Sequence, residues 1–77
     1  MKKTYVKVVA EIDENGKKTP KSITFKDTTY EIDRVLDMKH CASMKVGGVG
    51  ERYTIRINGS ITYVFCELGK WFVEEKE

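Results

Sequence analysis

Histidine and proline each occur once in this chain of 77 residues, and cysteine occurs twice. Those scarcities exclude several kinds of chemistry. His40, Cys41 and Cys66 are three soft donors, one short of the four that a structural zinc site takes. As neighbours on an extended segment, His40 and Cys41 point to opposite faces, so they do not share a proton or an ion as a catalytic dyad would. Neither the Gly-x-Gly-x-x-Gly fingerprint nor a Walker A loop is present. The one glycine-rich stretch, Lys45 to Gly50, has no clear helix after it and reads as a connection between strands rather than an anion cradle. No cofactor, no metal and no catalytic residue is therefore expected, and the chain reads as a non-enzymatic domain.

Long apolar runs are also missing. No stretch approaches the roughly 18 residues that a membrane-spanning helix needs. The opening Met1-Lys2-Lys3 resembles the start of an export signal, but Lys7 and Glu11 interrupt the apolar segment that should follow. A cytoplasmic location follows as the expectation, with Cys41 and Cys66 reduced and unbonded to each other.

Net charge is small, +2 from 14 basic and 12 acidic residues, and does not by itself point to nucleic acid or membrane. Its distribution says more. Between Arg34 and Arg56 lie five basic residues (Arg34, Lys39, Lys45, Arg52, Arg56) and two acidic ones (Asp37, Glu51). The pairs Glu31 and Asp33, or Asp33 and Asp37, are better explained as the solvated side of a strand than as facing acid–base carboxylates, because no cleft or supporting group accompanies them.

What the chain has in quantity is alternation. Val6, Val8, Ala10 and Ile12 recur at every second position between Thr4 and Asp13, the period of a half-buried strand. Asn15-Gly16 reverses the chain into a second strand that carries Pro20 near its start, then Ile23 and Phe25. Asp27-Thr28-Thr29 supplies a turn before a third strand from Tyr30 to about Cys41. Val35 falls out of its parity, which calls for a bulge near Arg34 or burial on both faces; a helix over Ile32 to Met38 is the local competitor. Ala42 to Gly50 is a loop. Tyr53, Ile55 and Ile57 then form the clearest strand, and Asn58-Gly59 the strongest hairpin signal. The returning strand sets Ile61, Tyr63 and Phe65 on the core side and Thr62, Val64 and Cys66 on the other. Leu68-Gly69-Lys70 turns into Trp71-Phe72-Val73. The expected architecture is all-β, one domain over residues 1–77, a small antiparallel five- or six-stranded barrel or curled sheet of SH3-like or related topology.

The order Pro20-Lys-Ser-Ile23-Thr-Phe25, Tyr30-Glu-Ile32-Asp-Arg-Val35-Leu36, Tyr53 to Ile57 and Trp71-Phe72-Val73 resembles small single-domain bacterial proteins with a Pro-x-x-[Ile/Phe]-x-[Trp/Phe]…Tyr-x-[Ile/Val]-x-x-Val-Leu core. The resemblance spans most of the chain through core positions, with Phe25 where Trp is common. It implies a compact β domain and brings no activity with it.

Two binding readings follow. Alternation pushes Tyr5, Val9, Val64 and Phe72 outward, where a second apolar face would meet a protein partner or a second copy of the chain. The alternative is a weak contact with single-stranded nucleic acid through Arg34, Lys39, Lys45, Arg52 and Arg56 beside Tyr53 or Tyr63. The core parity of both tyrosines weakens that alternative, and protein contact is the first expectation.

Overall fold

The structure is a computed structural model, and it describes residues 2–42 and 49–75, with the backbone alone for 41, 42 and 49. Eight strands follow one another: β1 (Lys2–Tyr5), β2 (Lys7–Ile12), β3 (Lys18–Phe25), β4 (Thr28–Glu31), β5 (Arg34–Ala42), β6 (Val49–Ile57), β7 (Ser60–Glu67) and β8 (Lys70–Glu75). Among the described residues there is no helix, so the competing helical reading of Ile32 to Met38 is set aside.

The turns explain the pairing. Asn58 and Gly59 both have positive φ (50° and 78°), as do Leu68 and Gly69 (51° and 77°) and Lys26 and Asp27 (51° and 64°). Positive φ at both central residues marks the type I′ turn, whose twist matches that of the flanking strands. The expected turn at Asp27-Thr28-Thr29 thus begins one residue earlier. At Asn15-Gly16 the Asp13 carboxylate accepts from the backbone N–H groups of Asn15 and Lys17, both at 2.9 Å, and Gly16 has a φ of 82°. The side chain of Asp13 holds the loop as a backbone turn would.

These hairpins assemble into two antiparallel sheets, one of five strands in the order β1-β8-β7-β6-β5 and one of three in the order β2-β3-β4. The expected closure into a barrel does not occur. Two expected strands each divide, because the chain leaves one sheet for the other at Val6 and again at Ile32-Asp33. Each crossing is hydrogen-bonded: the Val6 N–H donates to the Trp71 carbonyl at 3.0 Å, that of Ile32 to Lys21 at 2.9 Å and that of Asp33 to Arg56 at 2.8 Å. The anticipated irregularity in β5 is a bulge at Leu36, since Val35 pairs with Ile55 and Asp37 with Thr54. Pro20 pairs with Ala10 beside a second register shift in β2–β3, where the ladder can spare its missing donor.

The sheets face each other across a small core of Ile23, Tyr53, Ile55, Val64 and Cys66, with Val8, Phe25, Val35, Ile57, Trp71 and Val73 packed against it. Cys66 is buried with a free thiol, pushed above its ordinary pKa first by burial. One core assignment is overturned. Val64 is fully buried and Ile61 is 63% exposed, so the inner side of β7 is Val64 and Cys66, not Ile61, Tyr63 and Phe65. The two-residue turn causes this, because Asn58-Gly59 places Ile57 opposite Ser60 and hence Val64 opposite the core residue Tyr53.

Candidate functional site

Residues paired across antiparallel strands share a face, so the ladders define the outer side of the five-stranded sheet. One lateral row crosses all five strands. Lys39 pairs with Arg52, Arg52 with Phe65, Phe65 with Phe72 and Phe72 with Tyr5. A second row holds Asp37, Thr54 and Tyr63, and a third Arg34, Arg56 and Ile61. Four of the five basic candidates thus meet on one face, at its β5–β6 side. Lys45 lies outside the described residues, as does the glycine-rich loop up to Gly48; Gly50 is buried within β6.

The aromatic half of the face is built by packing. Phe65 and Phe72 stack with ring centroids 5.1 Å apart, and Tyr5 meets Phe72 edge to face at 5.9 Å. The Lys3 ammonium lies 4.4 Å from the Phe72 centroid and pairs with Glu67 at 3.0 Å, a bond that raises the Lys3 pKa. Walled in this way, Phe72 is only 5% exposed. Phe72 thus points outward as expected but is covered by its neighbours, whereas Val64, expected on the outer side, lies on the inner face and is corrected. Tyr5 (60% exposed) and Val9 (56%) do reach solvent, but on different sheets.

Tyr63 is corrected too, with a bearing on function. It is 47% exposed rather than buried, and the Arg52 guanidinium sits 4.9 Å from its ring centroid. The Arg52 Nε atom is buried without a hydrogen-bond partner. Among the described residues, none of Arg34, Lys39, Arg52 and Arg56 forms a salt bridge. Asp37 is the one carboxylate among the three positions β5 contributes to these rows.

Tyr53 lies on the inner side, buried against Trp71 with centroids 5.3 Å apart. Burial and then the Glu51 charge push its phenol well above the ordinary range. Glu51 accepts from the Tyr53 hydroxyl and from the Lys18 ammonium, both at 3.3 Å. With His40, Val35 and Met38 these groups line an open cleft of about 470 Å³ beside the Asn15–Thr19 hairpin. His40 is exposed there, opposite Glu51 in the β5–β6 ladder, and Cys41 pairs with Gly50 at the next position. The carboxylates Glu31, Asp33 and Asp37 separate: Glu31 is on β4, Asp37 on β5, and Asp33 at the crossing between them accepts from the Gly59 N–H at 3.5 Å. Among the described residues no three His, Cys, Asp or Glu side chains converge as metal ligands would.

The chain matches no protein-family model, no curated protein and no solved structure. A broad sheet surface with unneutralised cations beside an accessible ring can hold anions spaced along a chain and stack planar groups between them. Sequence reasoning found the cations and placed Tyr63 beside them, but it assigned Tyr63 and Phe65 to the core side of β7. The missed signal was the register that Asn58-Gly59 imposes.

Proposed function

We propose that the outer face of the five-stranded sheet binds single-stranded nucleic acid without a catalytic step. The observation that carries this is the gathering of Arg34, Lys39, Arg52 and Arg56 on one face, without ion-pair partners among the described residues, with the Arg52 guanidinium 4.9 Å from the half-exposed ring of Tyr63. Single strands suit such a face because their unpaired bases can lie flat on aromatic rings while phosphates meet cations. Duplexes hide the faces of their bases. A reduced, cytoplasmic setting belongs to the same proposal.

The protein-contact reading loses its contiguous patch with the burial of Val64 and Phe72, and Tyr5 and Val9 belong to different sheets. It survives in a different form, through a sheet edge.

Fluorescence anisotropy with labelled single-stranded RNA and DNA tests the proposal. Three to four phosphate contacts give a single-strand salt slope of about −2 to −3, so affinity should fall roughly 20- to 50-fold between about 50 and 200 mM salt. Tyr63→Ala should weaken binding about tenfold through lost stacking, and Arg52→Ala together with Arg56→Ala should flatten the salt slope. Affinity that is independent of salt, or indifferent to all three substitutions in folded protein, would refute the reading.

A further inference from the structure

We infer that two copies of the chain join edge to edge through β5, antiparallel and centred on Met38, to make one continuous ten-stranded sheet. β5 ends the five-stranded sheet and has nine residues, whereas the opposite edge, β1, has four. Among the described residues its ladder runs to β6 alone, and no other backbone group bonds its free side. Such an edge is a template for another strand unless it is short, kinked or covered. The bulge at Leu36 kinks only its beginning, and from Asp37 onward the pairing with β6 is regular to Ala42. In the smaller sheet the edges are blunted: β4 has four residues, and the ladder of β2 is broken by the shift at Val9/Ala10.

Charge fixes the occupant and the register. Two identical antiparallel strands in one sheet are related by an axis normal to it that passes through a residue opposite its own copy. Centring on Asp37 sets two carboxylates opposite each other, and centring on Lys39 sets two ammonium groups opposite each other. Centring on Met38 sets each Asp37 opposite the second copy's Lys39, twice over. Asp37 and Lys39 occupy neighbouring outer-face rows, both exposed, and Met38 between them is 38% exposed on the inner face. Met38 of one copy then covers Met38 of the other. Opposite charges across strands stabilise and like charges destabilise the pairing.

Sedimentation equilibrium without nucleic acid tests this independently of the proposed function. The chain should show twice its 8.9 kDa mass at high concentration. Asp37→Lys alone places lysine opposite lysine, and Lys39→Asp alone places aspartate opposite aspartate; each should raise the dissociation constant about tenfold or more. Mixing the two variants should restore association as a heterodimer, since every pair is then of opposite charge, and this restoration requires both variants to be folded. Hydrogen exchange at Asp37–Lys39 of the unaltered chain should also slow as concentration rises. A monomer at millimolar concentration, or association that neither substitution weakens, overturns the inference. So does exchange in β5 that is indifferent to concentration.

Discussion

At the scale of the residue, the side chain most at odds with its backbone is Leu68. It holds a φ of 51° at the first position of a type I′ turn and is 89% exposed. A leucine in the left-handed region costs roughly 1 kcal/mol, and asparagine adopts it far more readily. The turn at Asn58-Gly59 has the same geometry with the preferred pair. Leu68→Asn should therefore stabilise the fold by about 0.5–1 kcal/mol and raise Tm by a few degrees, since no packing is lost. Thermal unfolding followed by circular dichroism measures it; an unchanged or lower Tm would mean that Leu68 makes contacts its exposure conceals. The same scale shows why the candidate site was half legible. Arg34, Lys39, Arg52 and Arg56 stand out by type alone, but part of the shelter over Phe72 comes from Tyr5 and Lys3, which arrive from the far end of the chain.

At the scale of the element, β7 shows where pattern reading stops. Both of its sides are apolar, Val64 and Cys66 on one and Ile61, Tyr63 and Phe65 on the other, so alternation cannot say which faces inward. Turn geometry can. A two-residue loop at Asn58-Gly59 pairs Ile55 with Thr62 and Tyr53 with Val64, and the core parity of β6 then passes to Val64. The division of two expected strands at Val6 and at Ile32-Asp33 had no such local signal, because it depends on which sheet receives the next residue. Val64→Lys should consequently cost several kcal/mol or abolish folding by burying an unpaired charge. Ile61→Thr, on the solvated side and opposite Arg56, should shift stability by no more than about 0.5 kcal/mol. Urea denaturation of the two variants compares them directly, and equal losses would contradict the register.

At the scale of the whole molecule, the edge and the outer face constrain each other. An axis normal to the sheet leaves the outer faces of both copies on the same side, so two sets of Arg34, Arg52, Arg56 and Tyr63 would line one surface across the β5–β5 seam. Lys39 and Asp37 neutralise each other there without consuming the other cations. A strand of roughly 8 nucleotides engages one copy, whereas one of roughly 24 can bridge both, and bridging turns the second contact into an intramolecular one. The ratio of long- to short-strand affinity should thus be at least about tenfold larger for the unaltered chain than for Asp37→Lys. Using the ratio removes the effect of the added lysine on phosphate attraction, which acts on strands of both lengths. Anisotropy titrations with both oligonucleotides, at a protein concentration where sedimentation shows the unaltered chain paired and the variant single, give the two ratios. Equal ratios would place the nucleic-acid surface away from the seam even if each proposal held alone.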